Sequence, residues 1–251
     1  MRFAHLGEWL VKEIWVDHPV SGDQVLWRYF RFDRFMEAIE SRTLYFASAR
    51  EFDDPFEGAT AVTLPAPKDP RFNEIAPDEK AFEELRRLTK ISCWNRGASE
   101  SEAMWKLYAS ERKGIAVKTT AKKLAESLQP YRLSPEYADE NFVWGEVRYV
   151  DLTSVRLNEG MLARFFCKHL AFESERELRV AISLRLAEEY GVNVPERGIR
   201  IHFVPETLLQ QVILGPELPT DQRNEAVNAC TRLGLGHLVE TSTLLWTPRY
   251  T

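Results

Sequence analysis

The chain has 251 residues, 44% of them hydrophobic and 28% charged, which suits a globular domain with a substantial core and excludes a disordered one. The formal net charge of −5 denies it the global basic footprint of a duplex nucleic-acid binder. Cys93, Cys167 and Cys230 are widely spaced and odd in number, with no C-x-x-C pair. They read as buried inert thiols and predict neither a disulfide framework nor a cysteine zinc site. The five histidines form no H-x-x-x-H or H-E-x-x-H motif, so no metal is expected on their account.

The first ten residues carry charge every few positions and no apolar run long enough for a signal or a membrane span follows, so a cytoplasmic address and no membrane partner are expected. Leu6, Trp9, Leu10 and Ile14 recur at helical spacing and predict a short helix over 6–16. Val25 to Phe30 reads as a strand, Phe32, Phe35, Met36 and Ile39 as a helical stripe, and Thr43 to Phe46 as another strand. Residues 63–80 are rich in Pro, Asp and Lys and predict a mobile surface loop.

Ile91 to Trp94 predicts a strand, Glu102 to Ala109 a helix, Gly114 to Lys118 a strand, and Thr120 the cap of a helix to Leu128. A loop over 129–141 leads to a strand from Val143 to Val150 and a helix from Met161 to Leu170. Leu178 to Leu184 alternates with period two; Ile199–Val204 and Val212–Leu214 are short strands. A helix from Thr220 to about Gly234 and a strand from Leu238 to Leu245 close the chain. Helices and strands interleave irregularly with many short connections. The expected fold is a single α+β domain over 1–251, with mixed, mainly antiparallel sheet and flanking helices around one cleft.

Four polar blocks stand out. Arg28 and Tyr29 lie mid-strand on opposite faces, and a planar guanidinium among aromatics suits phosphate or carboxylate. Asp53-Asp54-Pro55-Phe56-Glu57 reads as a turn or as a functional loop containing Asp54 and Glu57. Ser92 precedes the helix bearing Trp105 and Tyr108, whose hydroxyl needs a partner if buried, and Lys113-Gly114 follows. Lys168 precedes Glu175, Glu177 and Arg179, which share strand parity and so one face, either as an acid/base unit or as a solvated polar face.

Read in order, these blocks resemble the bacterial domain-of-unknown-function family 2971 over about residues 25–215. The resemblance rests on Leu26-Trp27-Arg28-Tyr29, Leu44-Tyr45-Phe46-Ala47-Ser48 with Phe52 to Glu57, Ser92-Cys93-Trp94 with Met104 to Ala109, and Glu175 to Arg179 with Val212 to Gly215. The chain departs from that pattern at Asp53, Leu107 and Arg112, where the family carries Asn, His and His. The order Arg28, Ser92, Glu175-x-Glu177 also looks like the Arg–Ser–Glu-x-Glu order of ADP-ribosyltransferases.

That likeness implies NAD as the substrate, Glu177 as the central catalytic carboxylate and Glu175 as its helper. Arg28, Tyr29, Asp54, Glu57, Ser92, Trp105, Tyr108, Lys113, Lys168 and Arg179 then form a ligand pocket, made electropositive by Arg28, Lys113, Lys168 and Arg179. The partner is a phosphate-bearing small molecule or nucleotide, with a macromolecular acceptor left open. Two other readings stand beside it. One is a magnesium-dependent phosphodiesterase or nuclease using Asp54, Glu57, Glu175 and Glu177. The other is a non-catalytic nucleotide- or partner-binding module of a toxin or defence system.

Overall fold

The computed structural model describes residues 11–61, 77–246 and 248–250. In chain order the first strands are β1 Val11–Glu13, β2 Val25–Phe30, β3 Thr43–Ser48, β4 Thr89–Arg96, β5 Ile115–Thr120 and β6 Phe142–Glu146. They are followed by β7 Arg148–Val150, β8 Cys167–His169, β9 Glu177–Ser183, β10 Ile199–His202, β11 Gln211–Leu214 and β12 Val239–Thr241. The helices are α1 Phe32–Ser41, α2 Pro77–Leu88, α3 Glu102–Tyr108, α4 Ala121–Ser127, α5 Arg185–Glu189, α6 Pro205–Leu208 and α7 Thr220–Arg232.

Among the described residues, one sheet runs β1-β6-β9-β4-β2-β5-β11-β12, with β3 branching from β4 and β10 pairing with β3; β7 and β8 form a separate ribbon. The pairings are mostly antiparallel, with β1–β6, β11–β12 and β7–β8 parallel. The fold is therefore α+β with a mixed, mainly antiparallel sheet flanked by helices. No described helix is long and apolar enough to cross a membrane.

Alternation along the strands explains the layering. Leu178, Val180 and Ile182 of β9 project to one face, where they are fully buried with Leu26, Phe46 and Phe142 under Phe35 and Ile39 of α1, Leu124 of α4 and Ala226 of α7. Each such aliphatic side chain contributes about 1.5–3 kcal/mol relative to exposure. α1 stops where Arg42 turns left-handed (φ 51°) and its N–H caps Ala38 O, which frees Thr43 to start β3. Thr120 caps α4 as its sequence position predicts, accepting from Lys123 N. The opposite sheet face carries two smaller apolar clusters. One holds Phe165, Phe166 and Ala181, the other Trp27, Tyr29 and Trp105. Glu177 and Arg179, in step with Ala181, share that face.

Several local expectations are overturned. Within the predicted helix at 6–16, Val11–Glu13 is a strand pairing in parallel with β6, and residues 6–10 lie outside the described residues. Most of the expected loop at 63–80 also lies outside them, but Pro77 already begins α2. The strand over 143–150 is divided at Val147, whose N–H still bonds Glu177 O of β9, after which Arg148–Val150 pairs with β8 instead. Met161–Leu170 is not a helix but a 3₁₀ turn at Ala163–Phe166 followed by β8. Phe165, Phe166, Cys167 and Lys168 are buried in succession, which no single helical face allows. The final strand is confined to Val239–Thr241.

Candidate functional site

The site begins with a fork in the sheet. β4 pairs with β9 along its length, from Thr89↔Ser183 to Asn95↔Glu177. Its other edge is divided: Trp27↔Asn95 and Leu26↔Arg96 join it to β2, whereas Ala47↔Ile91 and Ser48↔Lys90 join it to β3. Ser92, Cys93 and Trp94 lie where β2 and β3 diverge. Arg28 spans the gap, its Nη1 donating to Ser92 Oγ at 2.7 Å and its Nη2 to Tyr45 O at 2.9 Å. Ser92 Oγ also accepts from Trp94 Nε1 at 3.1 Å, and the guanidinium lies 5.5 Å from the Trp94 ring centroid. Arg28 pairs with no carboxylate among the described residues.

A cavity of about 230 Å³ opens at this fork. Trp27, Tyr29, Tyr45, Phe52 and Trp94 supply aromatic walls, and Arg28, Cys93, Asn95, Tyr108, Lys168, Glu175 and Glu177 the polar lining. Two of these walls come from residues of opposite strand parity, Arg28 and Tyr29. They share one cavity because the sheet is open between β2 and β3.

The carboxylate end is a continuous network. Lys168 Nζ donates to Glu175 Oε2 at 2.5 Å and Glu177 Oε1 at 2.9 Å. Arg179 Nε donates to Glu177 Oε2 at 2.7 Å, and its two terminal nitrogens reach Glu57 at 2.5 and 3.0 Å. Tyr108 Oη donates to Glu175 Oε1 at 2.9 Å. The backbone is held as well. Asn95 Nδ2 donates to Glu175 O, Glu177 N donates to Tyr149 Oη, and between them Arg176 adopts a left-handed conformation (φ 42°). That non-glycine conformation costs on the order of 1 kcal/mol and persists because both neighbours are anchored.

Shared parity holds for Glu177 and Arg179 but is not how Glu175 joins them. β9 starts at Glu177, and Glu175 ends the 3₁₀ turn Leu170–Glu175. Lys168 draws the two carboxylates together instead. Nor is this a solvated face, since Glu57, Lys168, Glu175, Glu177 and Arg179 are all buried.

The two carboxylates have opposite protonation tendencies. Burial raises the pKa of Glu175 above the ordinary value, and its hydrogen bond with Glu177 pushes the same way. Burial also opposes ionisation of Glu177, but Arg179 and Lys168 outweigh it and hold that carboxyl well below the usual range. Lys168 is likewise penalised by burial, yet Glu177 raises its pKa and keeps it an ammonium. Burial lowers Arg28 to about 10, so it remains a cation at neutral pH. Burial raises the Cys93 thiol well above its normal pKa, reinforced by Glu177, which is the reverse of an activated nucleophile.

Of the residues singled out from sequence, Arg28, Tyr29, Tyr108, Lys168, Glu175 and Glu177 line the cavity. Ser92 lies behind Arg28 as its hydrogen-bond partner, and Glu57 and Arg179 lie behind Glu177. Three expected ligand residues fall elsewhere. Asp54 forms a turn, its Oδ1 accepting from Phe56 N at 2.9 Å. Trp105 is fully buried, donating from Nε1 to Glu100 Oε2 and meeting Tyr29 edge to face. Lys113 is exposed outside the cavity, after three left-handed residues, Ser110 to Arg112, turn the chain away from Tyr108.

The expected electropositive pocket is also not found. Arg28, Lys168 and Arg179 are matched in number by Glu57, Glu175 and Glu177, so the group carries no positive excess, and of the three cations Arg28 alone pairs with no carboxylate among the described residues. Sequence reasoning passed over Cys93, Asn95, Tyr45 and Tyr149. Asn95 and Cys93 share the parity of Ile91, so extending β4 by one residue would have placed both on the Glu177 face. Among the described residues no group of three or more His, Cys, Asp or Glu is arranged to hold a metal ion. No family model, no curated protein and no solved structure matches the chain.

Proposed function

We propose that the fork cavity binds a nucleotide of the NAD class and cleaves its C1′–N glycosidic bond, passing ADP-ribose to water or to a macromolecular acceptor. The observation that carries this reading is the split between Glu175 and Glu177 in one cavity that the unpaired Arg28 also lines. Two carboxyl groups pushed apart in pKa suit distinct acid/base and electrostatic roles. The aromatic walls accept a flat heterocycle, and the Arg28 fork suits a phosphate.

In this reading Glu177 stays ionised and faces the positive charge that develops at C1′ as the C1′–N bond breaks. The bonding pair leaves with nicotinamide, which departs neutral. An oxygen of water or of an acceptor hydroxyl bonds to C1′, and its proton passes to Glu175. A base whose pKa lies above the ordinary carboxylate value is better matched to that transfer near neutral pH. Lys168 and Tyr108 orient Glu175, and Arg179 orients Glu177. The test is NAD binding and nicotinamide release by wild type and Glu177→Gln. Binding should persist in the variant while turnover falls by roughly a hundredfold or more. Equal turnover, or no NAD binding to wild type, sinks the proposal.

One observation favours a second reading, a binding module without chemistry. Every carboxylate oxygen of Glu175 and Glu177 already accepts a hydrogen bond from a protein side chain. NAD that binds without being cleaved, equally in wild type and Glu177→Gln, would select it. Magnesium chemistry has no comparable support, because an ion would have to displace Lys168 and Arg179 from those same oxygens.

A further inference from the structure

A second cavity, of about 250 Å³, adjoins the first and shares Arg28, Tyr29, Tyr45 and Tyr108 with it. Its other charged lining residues are Arg31, Arg34, Arg200 and Glu37. Four guanidiniums therefore face one carboxylate. Glu37 is held by both Arg34 (3.0 Å) and Arg200, and Arg31 pairs with Asp33 at 3.2 Å. Arg200 also lies over the Tyr45 ring, 5.7 Å from its centroid. The local excess is basic in a chain whose net charge is acidic. Arg31 marks the N-terminus of the ten-residue helix α1, which has no side-chain cap, so the first-turn N–H groups add to the positive field.

We infer that this second cavity is a phosphate subsite, in which Arg34 and Arg200 exchange Glu37 for the distal phosphate of a nucleoside pyrophosphate whose proximal phosphate lies at Arg28. The inference rests on the nucleotide reading of the first cavity and deepens it: the preferred ligand carries two linked phosphates. The geometry supports that choice in three ways. Arg28 is common to both cavities, so a chain of two phosphates passes from one to the other without leaving guanidinium contact. Arginine forks pair with phosphate oxygens in bidentate fashion. Glu37 is surface-exposed, so its release into water carries a small penalty compared with freeing a buried carboxylate.

The experiment is calorimetric titration with NAD and with nicotinamide mononucleotide, which has one phosphate. Wild type, the double variant Arg34→Gln/Arg200→Gln, and Glu37→Gln are compared, with thermal melts to confirm folding. The double variant should bind NAD about tenfold more weakly and bind the mononucleotide within about twofold of wild type. Glu37→Gln frees both arginines and should bind NAD more tightly, a change opposite in sign to any loss of fold. Wild-type affinity for NAD in the double variant, or equal weakening toward both ligands, overturns the subsite while leaving the first cavity's role intact. Failure of wild type to bind either ligand overturns both.

Discussion

Arg179 and Glu57, 122 positions apart in sequence, form a two-pronged ion pair at 2.5 and 3.0 Å with neither side chain exposed to solvent. The pair ties the loop after β3 to the middle of β9, directly behind Glu177. Arg179 also donates to Phe165 O at 2.6 Å, so one guanidinium links three segments of the chain. The turn at Asp54 and the ion pair at Glu57 thus explain a block of residues that had looked like ligand contacts.

Removing one member of a buried pair leaves the other charge without full compensation. Glu57→Ala should destabilise the fold by about 3 kcal/mol, somewhat relieved by the remaining contact between Arg179 and Glu177. Urea unfolding of the two proteins measures the difference; a change below about 1 kcal/mol would mean that the pair is not structural.

Gly58 follows Glu57 with φ +79°, and a Cβ there would come within 2.3 Å of Phe165 Cε1. Gly58→Ala combines left-handed strain with a clash against a fully buried ring, for a loss of roughly 2–4 kcal/mol. A melting temperature equal to wild type would contradict the position of this loop.

Glu175, as the base, acts only when ionised. Its raised pKa moves the rising limb of turnover with pH above the ordinary carboxylate range, toward a plateau nearer neutrality. In Glu175→Gln turnover should be low and this limb absent. A profile of kcat against pH for NAD cleavage checks both features, and an unchanged limb in the variant would assign it to another group.

Ser92 is 1% exposed and holds Arg28 from below without lining the cavity. Ser92→Ala should weaken NAD binding by roughly tenfold, because Arg28 loses a fixed donor direction, while Trp94 Nε1 loses its acceptor. Titration calorimetry reads the effect. An unaffected affinity would show that Arg28 does not contact the ligand.

Glu140 lies away from the cavity, buried, with Oε1 lacking a partner among the described residues. Burial raises its pKa from 4.5 to about 7. A carboxyl whose folded pKa exceeds its unfolded one favours folding in its protonated form. Its contribution is complete below the unfolded value and is lost as pH rises toward about 7. The loss is at most about 3 kcal/mol, less after local relaxation. Glu140→Gln should therefore melt at a higher temperature than wild type near pH 8 and lose that advantage near pH 4. A difference independent of pH would refute the assignment.

What local sequence determines here is whatever depends on neighbours a few residues apart. The period-two run Leu178, Val180, Ile182 buries one face of β9, the stripe Phe35, Met36, Ile39 buries one face of α1, and Thr120 caps α4. The same reading fails at Met161–Leu170, where consecutive apolar residues carry no period, and at Glu175, where parity was extended past the start of the strand. Six of the cavity's residues were legible as polar or aromatic positions in unusual places, Arg28 and Lys168 among them.

Their common location was not. Alternation alone assigns Arg28 and Ser92 to the sheet face opposite Glu177, since Trp27↔Asn95 and Asn95↔Glu177 define the Glu177 face and Arg28 is out of step with it. Only the divergence of β2 and β3 from β4 opens a gap through which Arg28 reaches the cavity, and that divergence is set by long-range pairing. Charge follows the same rule. The sequence supplies cations and carboxylates in similar number, but which of them neutralise one another depends on contacts between distant segments, such as Glu57 with Arg179. Tertiary structure therefore decided that Arg28 alone of the cavity cations remains unpaired, because side-chain parity is a local property and strand pairing is not.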